Sequence, residues 1–173
     1  MSNKDSIQKC TGLVVPLGAL YSKENPVIGE FPDLKIFSDF CKECGISIIQ
    51  LLPVNDTGTQ SSPYSGLSAF ALHPIYIRIK SISGFDELYK SNPQFAKNYD
   101  NFINNNNYTN RYDYDSILNS KIKLLKELYE TTEAGKSGKA DEALAKWIKS
   151  NSWVKTYAVY KDLKWNYMQA SWK

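Results

Sequence analysis

Residues 46–79, ISIIQLLPVNDTGTQSSPYSGLSAFALHPIYIRI, begin with an apolar run, pass through a polar segment and end in an alternating pattern. The run from Ile46 to Leu52 is typical of a parallel strand that is covered on both faces. The alternation from Ile75 to Lys80, just after Pro74, predicts a second strand with one face in water. A polar, aromatic loop between two strands predicts a ligand-binding edge, because functional loops follow the carboxyl ends of parallel strands.

The residues upstream complete a βαβ unit. Leu13 to Leu17 predicts a first buried strand, and a helix follows with Asp33 as the expected N-cap and Gly45 at its C′ position. One face of this helix is formed by Leu34, Phe37, Phe40, Cys41 and Cys44. Two strands joined by a helix within about forty residues predict neighbouring parallel strands in one sheet. This pattern suits a barrel and an open sheet equally, but the glycines of a dinucleotide-binding turn are missing.

Beyond residue 83 the pattern becomes mostly helical. A polar tract at Asn104–Asn107 predicts a loop, and the stretch Trp165–Lys173 has the aromatic load of an interrupted sequence. We therefore predict two parts: residues 10–83, the first βαβ portion of a barrel with its substrate loop, and residues 84–173, a mostly helical insertion or subdomain that is truncated. Two helices of this second part are traced by Ile117, Lys121, Leu124, Leu125 and Leu128, and by Trp153, Tyr157, Tyr160, Leu163 and Tyr167.

Size and composition limit the function. The 173 residues fall short of the roughly 250 of a complete eight-stranded barrel. A net charge of +3 without a basic stripe argues against nucleic acid. The apolar runs are too short for a membrane span, and Met1–Lys9 carries no signal region, so a cytoplasmic location is expected.

The three cysteines fit a reducing compartment, not a disulfide framework. Cys41 and Cys44 form a C-x-x-C sequence at the end of a helix, where the dipole disfavours a thiolate, so we interpret both as packing residues. The single histidine, His73, has no identifiable carboxylate partner in the sequence and is interpreted as structural. No cofactor or metal is predicted.

The loop after the predicted strand Ile46–Leu52 offers the groups that sugars require. Hydroxyl, amide and carboxylate side chains can bond sugar hydroxyls, and the rings of Tyr64 and Phe70 can stack on a pyranose. For Asp56, the residues alone favour a turn in which it bonds its own backbone over a contact with sugar. For Tyr64, the residues alone leave binding and packing equally open. The polar residues are Asn55, Asp56, Ser61, Ser62, Ser65 and Ser68.

Several phrases, in order, resemble the 4-alpha-glucanotransferases known as amylomaltases or disproportionating enzymes. They are GLVVPL at residues 12–17, IGEFPDL at 28–34, QLLPVNDT with SSPYS and SAFA within 50–71, and WVKTYAVY at 153–160, followed by Trp172. The resemblance implies the N-terminal part of an amylase-like (β/α)8 barrel with helical insertions. It also implies transfer of α-1,4-glucan segments to the 4-hydroxyl of an acceptor glucan or glucose with retention of configuration.

The same resemblance implies specific site residues. Tyr64 matches the family tyrosine that lies against the sugar at the cleavage point, with Asp56, Ser62 and Ser68 as its supports. Thr59 stands where some members have a further tyrosine, and His73 where many have asparagine. Retaining chemistry needs two carboxyl groups about 5–5.5 Å apart. In the family they come from later strands, and no segment here matches those motifs, so no catalytic residue is assigned.

Two hypotheses follow. In the first, the chain is the N-terminal piece of a 4-alpha-glucanotransferase that acts on maltooligosaccharides or other α-1,4-glucans and is inactive alone. In the second, it is a non-catalytic glucan-binding partial barrel, or one half of a split enzyme that a complementary C-terminal chain completes. An isolated piece should expose a strand edge and an apolar barrel face, and should therefore associate.

Overall fold

The computed structural model describes residues 9–20, 22–23, 27–106, 111, 113–132, 135–136, 138 and 142–167. The predictions that concern Asn107, residues 1–8 and residues 168–173 lie outside this part. The strands are β1 (Gly12–Val15) and β2 (Ile48–Leu51), and 3₁₀ turns form at Leu17–Ala19, Pro74–Tyr76 and Ile79–Ser81. The helices are α1 (Asp33–Glu43), α2 (Phe85–Ser91), α3 (Pro93–Asn106), α4 (Tyr114–Thr131), α5 (Glu142–Ser150) and α6 (Trp153–Asn166).

The βαβ unit forms as the sequence predicts. β1 and β2 pair in parallel, from Gly12 opposite Ile48 to Val15 opposite Leu51, with α1 between them in the chain. Gly45 follows the helix in a left-handed conformation at φ 73°, as expected at C′. The expected cap at Asp33 is wrong, because this residue is already inside the helix and its carboxylate accepts the Glu30 N–H at 2.8 Å.

The two-stranded sheet is less covered than the apolar run of its second strand predicts. Val14 is 63% exposed and Ile48 is 51% exposed, so these side chains are in contact with solvent. The expectation of a strand buried on both faces is therefore wrong for the described part of the chain. The described part of the chain is thus a small, helix-rich α/β fold with a two-stranded sheet.

The strand predicted from Ile75 to Lys80 does not form, so this prediction is wrong. The segment forms two 3₁₀ turns because Pro74 opens the first turn, and the His73 ring accepts the Ile75 N–H at 3.1 Å. Lys121 then takes the Ile75 and Ile77 carbonyls, which a sheet ladder would have used. The apolar alternation thus comes from turns whose isoleucines point into the core.

The loop predicted at Asn104–Asn107 is also wrong where the structure describes it. Asn104 to Asn106 form the last turn of α3, and the Asn106 amide donates to the Phe102 carbonyl at 2.8 Å. A side chain that satisfies a terminal carbonyl allows a polar tract to end a helix.

The main core lies between α2, α3, α4 and the 3₁₀ turns. It draws residues from both sides of position 83, so the helices are packed on the segments that carry the loop. Phe85 is its aromatic centre, with ring contacts to Tyr89, Phe95 and Tyr99. The buried members are Val27, Ile28, Ile75, Ile79, Phe85, Leu88, Phe95, Phe102, Ile117, Leu118, Leu124 and Leu128.

A buried ionic cluster, which we call the core charge cluster, joins this core to the chain before α1. It consists of Glu30, Asp33, Arg78 and Lys121. The Lys121 ammonium pairs with one Glu30 oxygen, and Arg78 donates to the other at 2.9 Å and to Asp33 at 2.5 Å. Burial is the main influence on the first pair, raising the pKa of Glu30 and lowering the pKa of Lys121. Two cations and two carboxylates therefore balance one another away from water.

Candidate functional site

The loop from Pro53 to His73 is closed at its base by backbone hydrogen bonds. The Asp56 N–H donates to the Ala71 carbonyl at 2.8 Å, and the His73 N–H donates to the Val54 carbonyl at 3.0 Å. An isolated antiparallel bridge between Asn55 and Leu72 lies between them. We call these pairings the neck of the loop, because they join its outgoing leg, residues 54–56, to its returning leg, residues 71–73.

The Asp56 carboxylate is buried at this neck and is fully engaged. One oxygen accepts the Gly58 N–H at 2.7 Å, which is the turn that the sequence offers as an alternative to binding. The other accepts the Tyr157 hydroxyl at 2.8 Å and the Lys161 ammonium at 2.9 Å. Burial alone would raise the pKa of Asp56, but the bonds from Lys161, Gly58 and Tyr157 outweigh it and lower the pKa below 3.8. The group is therefore ionised at neutral pH.

His73 links the same neck to α4. Its Nδ1 accepts the Ile75 N–H, so the proton of the neutral ring lies on Nε2. From Nε2 the ring donates to the Tyr114 oxygen at 2.7 Å and to the Gly58 carbonyl at 3.1 Å. Burial is the main cause that lowers the pKa of His73 below 6.5, which keeps the ring neutral. No carboxylate partner for His73 is identifiable in the sequence, but in the structure the Asp56 carboxylate lies 3.8 Å from Nε2.

The chain of hydroxyls continues from His73 into the loop. The Tyr114 hydroxyl lies 3.2 Å from the Thr57 hydroxyl, which itself donates to the Gln60 carbonyl at 2.5 Å. With the histidine proton on Nε2, Tyr114 donates to Thr57, and each hydroxyl is both donor and acceptor. The contacts support the structural role predicted for the histidine.

The tip of the loop, residues 62–65, is mostly exposed to solvent, whereas Asp56 and His73 at the neck are buried. Ser62 to Ser65 form a turn closed by the Ser65 N–H on the Ser62 carbonyl at 3.1 Å. Tyr64 is 73% exposed on this turn, and Ser62 is exposed beside it. The phenol ring thus presents its faces to solvent, as a ring that stacks on a sugar must.

The returning leg of the loop contacts α6. The Ser68 hydroxyl oxygen accepts the N–H groups of Phe70 and Ala71 at 3.1 and 2.9 Å, so it shapes the turn and keeps its own proton for a further acceptor. Phe70 is 68% exposed and stacks on Trp153 with centroids 5.7 Å apart. An open groove lies along this contact, and Thr156 and Tyr160 also line it.

Comparison with known proteins places this loop in a family. A family model described as 4-alpha-glucanotransferase matches residues 15–173. The chain belongs to the 4-alpha-glucanotransferase family. This match includes the neck, the tip and α6, so it agrees with the resemblance seen in the loop sequence.

Individual 4-alpha-glucanotransferases agree with the family match. "4-alpha-glucanotransferase DPE2" of Oryza sativa subsp. japonica is 30% identical over 93% of this chain and 17% of its own length. A 4-alpha-glucanotransferase of Chlamydia trachomatis is 30% identical over 88% of this chain and 28% of its own length. That of Clostridium butyricum is 32% identical over 79% and 26%. The chain spans less than a third of the length of each of these relatives.

In this member of the 4-alpha-glucanotransferase family, the four expected site residues fall into two groups. Tyr64 and Ser62 lie at the exposed tip, whereas Asp56 and Ser68 lie lower and bond the backbone of the loop. Sequence reasoning missed the residues that hold the neck. The spacing of Tyr157 and Lys161, four apart on one helix face, was visible, but their partner lies about a hundred residues away.

The remaining sequence motifs have no place near the loop. Cys41 is buried in α1 and Cys44 is exposed at its end, and both thiols are free. Within the described ranges, no group of three or more His, Cys, Asp or Glu side chains is arranged to hold a metal ion. Over the same ranges, no helix is both long enough and apolar enough to cross a bilayer.

Proposed function

We propose that the chain takes part in the transfer of α-1,4-glucan segments to the 4-hydroxyl of an acceptor glucan or glucose, and that it contacts the glucan through Tyr64. Family membership supports the reaction class. The observation that carries the contact is the exposure of Tyr64 at the tip of a loop whose neck is fixed at several points. A rigid base with an open aromatic tip is suited to stacking on a sugar ring, because little order is lost on binding.

The supporting residues take different roles in this proposal. Ser62 offers its exposed hydroxyl beside Tyr64, and Ser68 holds the returning leg. Asp56 acts on the glucan only through the loop, since both its oxygens are occupied and it is buried. The nucleophilic carboxylate of a retaining transferase must instead reach the anomeric carbon. The acid/base carboxyl group must lie about 5–5.5 Å from that nucleophilic carboxylate. We assign neither catalytic role to a described residue of this chain.

The contact is tested by titrating the 173-residue chain with maltoheptaose in a calorimeter. Tyr64→Ala is expected to weaken the affinity about tenfold or more, because a stacked ring contributes on the order of 1.4 kcal/mol. Tyr129→Ala removes another exposed tyrosine, on α4, and serves as the matched control. Equal affinities of the two variants would remove Tyr64 from the site.

The proposal that no described residue supplies the catalytic pair is tested by product analysis. The 173-residue chain is incubated with maltotriose, and the products are separated by chromatography. We expect neither glucose nor longer maltooligosaccharides. Their appearance would show that acids of this chain carry the reaction, and the roles given above to Asp56 and its neighbours would be wrong.

A second candidate is a partial barrel that needs a complementary chain. The exposed apolar residues Val14 and Ile48 favour it, because they form a surface that a completed sheet would cover. This candidate predicts that the chain associates when it is alone. A monomer by size-exclusion chromatography with light scattering, together with a single cooperative melt, would exclude it.

The thiols bear on the proposed cellular location, and the net charge bears on the proposed ligand class. The three free cysteines support a reducing compartment such as the cytoplasm. The small net charge of +3 supports a neutral sugar ligand over a nucleic acid.

A further inference from the structure

One helix face holds the neck of the loop from far along the chain. Tyr157 and Lys161 are four residues apart on α6, so both side chains leave the helix on the same side. Both donate to the same Asp56 oxygen, at 2.8 and 2.9 Å. The ammonium brings a positive charge to a carboxylate that is otherwise bonded by the uncharged Gly58 N–H and the phenol.

The backbone of Asp56 spreads this attachment over the loop. Its N–H donates to Ala71 on the returning leg, and its carbonyl accepts the Leu67 N–H at 2.7 Å. Gly58, on the outgoing leg, donates to the side chain. A displacement of the carboxylate therefore moves three other points of the loop, on both sides of the tip.

A second attachment makes α6 a two-point support. Trp153, at the start of α6, stacks on Phe70 with an interplanar angle of 26°. Lys161 lies eight residues further, which is about 12 Å along a helix. One contact alone would allow the loop to pivot on the helix, whereas two contacts at that separation fix its orientation.

We propose that Lys161 is a positioning residue for glucan recognition, and that its ion pair with Asp56 holds the loop so that Tyr64 faces the sugar. The inference rests on the function proposed above for Tyr64. Lys161 acts through Asp56, and not by contact with the reacting atoms. Tyr157 makes a separate hydrogen bond to the same Asp56 oxygen, but its ring also stacks on Tyr160 with centroids 5.9 Å apart, so a change at Lys161 is easier to interpret.

The variants separate position from charge. Lys161→Met removes the ammonium and keeps most of the aliphatic chain, whereas Lys161→Arg keeps a cation that can bond the carboxylate. Lys161→Gln retains an N–H donor without the charge and replaces the Met variant if that variant does not fold. Lys155→Met is the matched control, since Lys155 is an exposed lysine of the same helix.

Two measurements on the 173-residue chain give the readout, each well below the melting temperature of every variant. Amide hydrogen exchange reports the loop without any ligand, and calorimetric titration with maltoheptaose reports recognition. For Lys161→Met we expect the Gly58 and Leu67 amides to exchange about tenfold faster and the affinity to fall about tenfold. Lys161→Arg should return both to within about threefold of the original chain, and Lys155→Met should change neither.

The outcomes separate this inference from the proposed function. Equal loop exchange in Lys161→Met and Lys155→Met would overturn the positioning role, whatever the affinity. Faster exchange with unchanged affinity would overturn it as well, because the loop would then bind without its support. If the original chain shows no affinity for maltoheptaose but Lys161→Met loosens the loop, α6 holds the loop as inferred and the function proposed for Tyr64 is wrong.

Discussion

The core charge cluster and the neck of the loop are both built on buried carboxylates, but they are built to different strengths. In the cluster, Lys121 is completely buried between its partners. At the neck, the side chain of Lys161 is 35% exposed while Asp56 is buried. A buried cation cannot exchange its partner for water, whereas a partly exposed one can. The cluster therefore fixes the body, and the neck fastens a loop with an attachment that can loosen.

The largest effect is expected from the cluster. Lys121→Met leaves Glu30 buried beside Arg78 alone and frees the Ile75 and Ile77 carbonyls. We expect the free energy of unfolding to fall by about 3 kcal/mol or more, which is typical when one partner of a buried pair is removed. Urea denaturation measures it, with the exposed Lys123→Met on the same helix as control. A loss below about 1 kcal/mol would remove the contrast with the neck.

A smaller effect is expected from Asp56→Asn. The amide can still accept from Gly58, but the charge-assisted bonds from Lys161 and Tyr157 weaken, and Lys161 can turn to water. We expect a loss of about 1–3 kcal/mol in the free energy of unfolding. Comparison with Lys161→Met and the double variant, all by urea denaturation, isolates the coupling between the two side chains. Strictly additive losses would show that the ion pair contributes nothing to the neck.

The third prediction concerns acid. Because burial lowers the pKa of His73 below 6.5, the unfolded chain takes up a proton that the folded chain resists. This contribution is complete above about pH 6.5 and is lost as the pH falls towards the lowered value, at up to about 1.4 kcal/mol per unit. His73→Asn keeps an acceptor for the Ile75 N–H and cannot titrate. Urea denaturation at pH 7.5 and 5.5 should show a smaller difference in the variant, and an unchanged difference would place the acid sensitivity elsewhere.

The smallest effect on stability is expected at the tip. Tyr64→Ala removes a ring that is mostly in water, so the free energy of unfolding should change by less than about 0.5 kcal/mol. In any active protein that contains this loop, Tyr64→Ala should lower the transfer rate clearly while the free energy of unfolding stays nearly unchanged. A melting temperature lowered as much as that of Asp56→Asn would mean that Tyr64 packs in the fold. Neck and tip would then contribute equally to stability.

Local patterns in the sequence correctly predicted the elements that an apolar run or an apolar helix face marks. The apolar runs located β1 and β2, and their parallel pairing followed from the intervening helix. The helices α1, α4 and α6 were visible as apolar faces with the correct period.

The error at residues 75–80 arose because a distant residue decides the local structure, whereas the errors at Asp33 and at Asn104–Asn106 involve side-chain bonds within four residues. The alternation after Pro74 matches a strand, but Lys121, more than forty residues later, takes the carbonyls that a strand would need. The position of Lys121 on an otherwise apolar helix face was the available sign of a buried charge. For Asp56, the turn with Gly58 was predictable from the sequence, while its bonds to α6 were not.

The separation of Asp56 from α6 along the chain also sets an order of folding. Bringing together residues about a hundred positions apart costs more loop entropy than forming the helical hairpins of the core, so Asp56 should bind Tyr157 and Lys161 only after α2, α3 and α4 have packed. During synthesis, moreover, Asp56 waits for Lys161 to leave the ribosome. Until then the Asp56 carboxylate has no cationic partner, and the loop acquires its final shape only as α6 docks.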